Sequence, residues 1–244
     1  MEKLLKQNRQ LRILNSLLLL GLTMVIAFSF TNGEDPKKRF TEIDVERINI
    51  IEKDGSLKMA ITNKERQPPV VINGVTIPGR GKAPGIIIFN EEGDECGGFL
   101  FDGNKNGAGQ ILTFDQYKQD QIMSLRYNEE ISGNKKERLY GLAISDRPDT
   151  VTADQVYLKR KALEEIKDDA ARNAALQKFD NSGIYGSNRL FVGKVWNGNV
   201  GLYLNDDKGK KRARFFIDPQ NIARLEFYDE NGNTVYSVPE REKP

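Results

Sequence analysis

One unit recurs through this chain: an apolar strand-like run, a turn rich in Asp, Asn and Glu that closes on Gly, and a second apolar run. INIIEKDGSLKMAI (Ile48–Ile61), IIIFNEEGDECGGFLF (Ile86–Phe101), LYLNDDKGKKRARFFI (Leu202–Ile217) and LEFYDENGNTVYSV (Leu225–Val238) all fit it. Each unit is a β-hairpin, because apolar residues alternate on both sides of a Gly-bearing turn. A lone hairpin cannot bury its own apolar face. Hairpins in series must therefore stack, and the chain is expected to be mainly β: antiparallel hairpin repeats forming a sandwich, a barrel or a solenoid.

The pattern extends beyond these units. Val70–Ile72 and Val75–Ile77 flank Asn73-Gly74, a strong two-residue hairpin signal. Ile111–Phe114, Ile122–Tyr127, Leu139–Ile144 and Leu190–Val195 read as further strands, and Pro78–Pro84 as a loop. Between Ala153 and Phe179 the period changes. This stretch is rich in Ala, Leu, Lys, Glu and Asp and has no Gly or Pro, so one long bridging helix is expected, with Thr152 as N-cap. Val156, Leu163 and Ala170 form a narrow heptad stripe on it, a potential homo-oligomer seam that is too short to stand alone.

The N-terminus is of another kind. From Ile13 to Phe30 the chain has 18 residues without a charge, roughly 27 Å as a helix, close to the thickness of a bilayer core. Lys3, Lys6, Arg9 and Arg12 precede it against Glu2, and the flank after it is mixed. The positive-inside bias predicts a cytoplasmic basic tail (1–12), a single-pass transmembrane helix (13–30) and an extracytoplasmic body. A cleaved signal peptide, cut near the small residues Ala27 and Ser29 and leaving a secreted body, is the competing reading. The remaining boundaries are a linker at 31–39, a β-rich domain at 40–150, a helical linker at 151–183, a second β unit at 184–239 and a polar tail at 240–244.

Composition narrows the function classes. The chain carries 37 basic and 35 acidic residues, and without the basic tail the body has 33 and 34. That balance speaks against nucleic-acid binding, which needs a basic face. Cys96 is the one cysteine, so no internal disulfide forms, and a small hydrophobe on a strand is its simplest role. The chain has no histidine, which removes Ser-His-Asp and Cys-His catalysis and His-ligated zinc. No catalytic residues are assigned and the body is expected not to be an enzyme. Its partners are the membrane, through the N-terminal helix, and an envelope protein or glycan.

FTEIDVERINIIEKDG, FDQYKQDQ, SDRPD and LEFYDENG occur in this order. Together these segments resemble a family of bacterial proteins that have an N-terminal apolar segment and a β-rich body. The family carries no assigned activity. The resemblance implies a bacterial source and an exported β-rich body, and transfers no site residue.

Two segments are candidates for binding. DGNKNG (Asp102–Gly107) fits the opening half of a calcium loop, with Asp102, Asn104 and Asn106 as oxygen ligands. Its second half lacks the required acid, since Thr113 stands where a bidentate Glu belongs; Asp115 is the nearest substitute. Calcium is therefore the one cofactor considered, against the reading of an Asn/Gly turn. The FDQYKQDQ stretch is dense in donors and acceptors, so Gln116, Tyr117, Gln119 and Asp120 are candidates for a polar or carbohydrate pocket, against a hydrogen-bonded corner. The acidic turns at Glu91–Glu95, Asp206–Asp207 and Asp229–Glu230 could supply carboxylate pairs for a hydrolase, but solvated hairpin tips explain them more simply. The basic turn Lys208–Arg214 reads as a charged tip that discourages edge pairing. GRGKAPG lacks P-loop spacing.

Overall fold

The structure, a computed structural model, describes residues 1–29, 38–78 and 81–240, without the side chains of 27–29. Most of the expected linker, the tip of the Pro78–Pro84 loop, the end of the polar tail and the side chains at the candidate cleavage site lie outside the described residues. The chain divides into two units, Met1–Asp44 and Val45–Pro244.

The first unit contains one helix, α1 (Glu2–Ser29), which begins inside the basic tail. Its Glu2–Ile26 portion is long and apolar enough to cross a membrane, and none of it is buried against protein. Length and composition of this kind also suit a signal sequence.

The second unit is built on β1 (Arg47–Ile51), β2 (Leu57–Thr62), β3 (Val70–Ile72), β4 (Val75–Ile77), β5 (Gly85–Phe89), β6 (Glu95–Asn104), β7 (Gly107–Asp115), β8 (Gln121–Ser132) and β9 (Lys135–Asp146), then α2 (Ala153–Glu164) and α3 (Asp169–Asp180), then β10 (Ser187–Lys194), β11 (Val200–Asn205), β12 (Lys211–Ile217), β13 (Ala223–Tyr228) and β14 (Thr234–Val238). β3 and β4 pair only with each other. The other twelve strands form one antiparallel sheet in chain order, with β1 and β14 as its edges. The fold is thus mainly antiparallel β, as the hairpin pattern predicts.

The stacking of the hairpins differs from the expectation. They join edge to edge in one meander, and neither a sandwich, a closed barrel nor a solenoid forms among the described residues. The division into two β units gives way for the same reason: β9 pairs with β10 across the helical insertion, from Tyr140↔Lys194 to Asp146↔Ser187. The single bridging helix is two helices. Asp168 accepts a hydrogen bond from the Ala171 N–H at 2.7 Å and so caps a new helix start. That break separates Leu163 from Ala170, so the heptad stripe is no continuous seam.

The recurrent turn has one geometry. At Glu52–Ser56, Asn90–Asp94, Val195–Asn199, Asp206–Lys210, Asp218–Ile222 and Asp229–Asn233, the first N–H donates to the fifth carbonyl and the fourth N–H to the first carbonyl. The fourth residue is Gly or Asn with φ between 62° and 90°. This is the three-residue hairpin loop with a left-handed bulge residue. Where the first residue is Asp or Asn, its side chain caps the turn. Asp206 Oδ1 accepts the N–H groups of Lys208 and Lys210, and Asp218 Oδ1 those of Gln220 and Ile222, at 2.8–3.0 Å. Asn90 and Asp229 do the same. Asp206 and Asp229 of the acidic turns are therefore structural caps, while the Glu91–Glu95 turn is capped by Asn90.

The small core lies on one face of the sheet. Ala60 and Ile87 are directly paired and almost fully buried, with Phe89, Leu57 and Leu100 around them. The β3–β4 hairpin and α2 close over this part: β3 packs on β6, and α2 on β4.

Candidate functional site

The β7–β8 turn, the β3–β4 hairpin and the start of α2 meet at one place. Gln119 is buried there. Its Nε2 donates to the Val151 carbonyl at 2.8 Å and its Oε1 accepts from the Asp120 N–H at 3.0 Å. The Ala153 N–H donates to the Lys118 carbonyl at 2.9 Å, which ties the first residue of α2 to the turn. Asn73, at the tip of the β3–β4 hairpin, bridges two acids: its N–H donates to Asp94 Oδ1 at 2.7 Å and its Nδ2 to Asp154 Oδ1 at 2.9 Å.

These contacts frame a cavity of about 330 Å³. Ile72, Ile77 and Val156 supply apolar wall, and Glu95, Asp115 and Gln119 supply polar lining. Arg147 and Arg160 hold the rim. Arg147 donates to Asp120 at 3.1 Å, to the Gln121 carbonyl at 2.9 Å and to the Tyr185 carbonyl. Arg160 contacts Asp180 at 2.5 Å and the Tyr185 hydroxyl at 3.0 Å. Burial pushes the Cys96 thiol above its usual range, and the nearby Asp115 and Glu95 charges push it the same way. Cys96 is half-buried on β6 with its Sγ 3.6 Å from the Ile88 carbonyl, so it is a structural thiol.

The structure divides the sequence candidates. Asp115, Gln119 and Asp120 line the cavity. Gln116 and Tyr117 point elsewhere: Gln116 donates to Asp149 at 3.0 Å, and exposed Tyr117 to Glu92 at 2.8 Å. Hydrogen bonds from Lys118 and then Tyr117 hold the Glu92 carboxyl below its usual range. The four calcium candidates do not come together. Asp102 pairs with Gly109 and Asp115 with Gln121, at opposite ends of β7, roughly 20 Å apart at about 3.4 Å per residue. Asp102 instead accepts from the Gly103 N–H at 2.8 Å and from Lys64 at 3.4 Å, and Asn104 Oδ1 accepts from the Asn106 N–H at 2.7 Å. Among the described residues, no group of three or more His, Cys, Asp or Glu is placed to hold a metal.

A second polar cluster lies outside the sequence candidates. Glu226 on β13 is fully buried, and its Oε2 lies 2.6 Å from Arg214 on β12 and also accepts from the Tyr228 hydroxyl. The Arg214 guanidinium sits 4.4 Å above the Phe216 ring. Phe216 stacks on Tyr203 with ring centroids 6.4 Å apart, and the Phe191 ring lies tilted against Tyr203 at 6.0 Å. Glycines allow the strands to approach here: a Cβ on Gly201 would lie 2.2 Å from the Phe215 carbonyl oxygen, and one on Gly141 2.1 Å from the Val192 carbonyl oxygen and 2.9 Å from the Phe191 ring. The signal for this cluster was present in strand alternation, which sets Arg214 and Phe216 on one face. In the sequence Arg214 adjoins the basic turn that starts at Lys208, which hides its place on the strand.

No family model matches the chain, and no curated protein or solved structure matches it either.

The sheet also has an open side, which follows from pairing alone, since directly paired residues share a face. One row runs Ile48–Ile61–Ile86–Phe99–Leu112–Leu125–Leu142–Val192–Leu202–Phe215–Leu225–Val238, one residue from each of the twelve strands. Every member is Ile, Leu, Val or Phe. Many are well exposed, Leu125 at 55% and Phe215 at 56%. The adjoining row on the same face, from Ile50 and Met59 through Phe114, Met123, Ile144 and Leu190 to Phe227 and Tyr236, is also uncharged. The opposite face carries the Ala60–Ile87 core at one end and the Tyr203–Arg214–Glu226 cluster at the other.

Proposed function

We propose that this chain is a single-pass membrane protein of a bacterial envelope whose β body lies outside the cytoplasm and acts by association, as a structural or interaction component. The observation that carries this reading is the apolar row that crosses all twelve strands without a charge. Soluble monomers rarely expose continuous apolar patches beyond a few hundred Å², and larger ones mark interaction surfaces. The apolar α1 supports the anchor, and Lys3, Lys6, Arg9 and Arg12 at its start support a cytoplasmic N-terminus.

Fractionation tests it. The full-length chain should stay with membranes through an alkaline carbonate wash, and protease added outside intact spheroplasts should digest the body. A chain recovered from the cytosol refutes the reading. A soluble exported product lacking its first residues replaces the anchor with a cleaved signal.

The cavity favours a second reading, a small-ligand module in which Asp115, Gln119 and Asp120 face a neutral polar ligand such as a sugar. A thermal-shift screen of saccharides would show a rise in Tm that Asp115→Asn removes. No shift across the screen leaves only the association reading.

A further inference from the structure

We infer that the apolar face of the sheet is covered by a second copy of this chain, packed sheet to sheet about a two-fold axis. The inference rests on the association reading above and names its partner.

The size of the face argues for this occupant. Twelve strands at about 4.8 Å spacing span roughly 53 Å, and five residues along each strand, which take in the two apolar rows and the flanking row of Phe101, Tyr127, Tyr140, Val200 and Ile217 with its one charge at Lys194, span about 17 Å, a footprint near 900 Å². Two such faces brought together remove roughly 1,800 Å² from water, within the range of stable specific interfaces. A lone monomer's largest patch is typically about 300–600 Å².

The chemistry of the face argues the same way. A two-fold interface uses one patch twice, so the patch must complement itself. This one does, because its two central rows carry only uncharged residues, and any opposed register sets apolar against apolar. Its charges lie outside the two central rows: Lys194 in the flanking row, the Glu129–Arg138 pair, closed on itself at 2.6 Å, with Lys136 beyond it, and Asp146 at the other end of β9, paired with Arg189. A dedicated foreign partner of charged character would find nothing to read in the centre. Sheets pack face to face at about 10 Å with their strands within about 30°. Rows of Leu, Ile, Val and Phe are what the inner faces of such pairs present. Anchoring in one bilayer would also raise the effective concentration of each copy for the next.

The middle of the twelve-residue row falls between Leu125 and Leu142. A two-fold axis in the plane between the sheets, along or across the strands, brings Leu125 close to its own counterpart. The test uses the full-length chain in native membranes, with Cys96→Ser and Leu125→Cys, treated with a short bis-maleimide. A control places the cysteine at Glu137, which pairs with Glu130 on the polar face. The position-125 cysteine should give a product of twice the chain mass and the position-137 cysteine should not. Adding Phe215→Lys should lower the cross-link yield at least fivefold. Phe215 is exposed in a single copy, so the variant should keep its β circular dichroism.

Several outcomes overturn the inference: a position-125 cysteine that reacts freely with a water-soluble maleimide and yields no doubled product, a product whose added mass is a different protein, or an environment-sensitive dye at position 125 quenched by doxyl lipids. A foreign protein on the face sinks the two-copy inference and leaves the association reading standing. Loss of the chain from the membrane fraction sinks the association reading itself.

Discussion

Glu226→Gln should destabilise the body by about 3 kcal/mol. The carboxylate is fully buried, and it lies 2.6 Å from Arg214, whose side chain is 18% exposed. Removing one member of a buried ion pair typically costs about 3–5 kcal/mol, because the other charge is left in low dielectric. The partial exposure of Arg214 places this case at the lower end. The Tyr228 hydroxyl can still donate to the amide oxygen, so the loss falls on the charge and not on the shape. In urea, at about 1–3 kcal/mol per molar, the midpoint should fall by roughly 1–3 M. The double variant Arg214→Met, Glu226→Leu should recover most of the loss, since apolar replacement of both partners is often neutral or better. The two single variants together should then cost more than the double, with a coupling of at least about 1.5 kcal/mol. A Glu226→Gln protein within about 0.5 kcal/mol of wild type would refute the idea that this pair closes the polar face. So would a double variant no more stable than either single one.

Three further outcomes follow from the fold. Stability should fall below about pH 4: hydrogen bonds hold the turn carboxyls of Asp54 (from Ser56), Asp218 (from Arg224 and the Ile222 N–H) and Asp229 (from Asn233) below their usual range. A depressed folded pKa gives stability that is present above the unfolded value of about 3.9 and is lost as pH drops through the folded one; melting curves between pH 6 and pH 2.5 check this, and a flat profile contradicts it. Ile87→Ala, at the largest fully buried apolar side chain of the core, should cost about 3 kcal/mol and lower Tm by roughly 6–12 °C, whereas the same change at exposed Leu125 should be far milder in a dissociated copy. Millimolar calcium should leave Tm unchanged, because Asp102 on β6 and Asp115 on β7 lie roughly 20 Å apart at about 3.4 Å per residue; a saturable rise lost in Asp102→Asn would show that the hairpin tip binds calcium alone.

What could be read from the sequence was local. The turn chemistry was visible because each turn carries its own cap and its own left-handed residue within five positions, as in Asp206–Lys210 and Asp229–Asn233. Strand positions followed from alternation, although β6 to β9 run longer than their apolar centres. Their ends hold Asp102–Asn104 and Glu129–Ser132, which read as loop in isolation and are held by cross-strand pairing. The break at Asp168 was masked by a run of good helix formers. Whether the hairpins stack or join edge to edge depends on the pairing of β9 with β10, forty residues apart, and nothing local encodes it. The cavity was half legible. Asp115, Gln119 and Asp120 lie in one dense polar stretch, but Glu95, Arg147, Arg160 and Tyr185 arrive from four other elements or loops. Gln116 and Tyr117 share the stretch and turn away, to Asp149 and Glu92, because the chain reverses at Lys118, whose φ is 55°. The apolar row was invisible until the register was known, since each strand contributes only one residue to it.

The mass of the native assembly tests the central claim most directly. Full-length chain reconstituted in lipid nanodiscs and weighed by mass photometry should carry two copies per disc at loadings where chance co-occupancy is rare, with Phe215→Lys shifting the population to one. A wild-type population at one copy per disc would contradict the account.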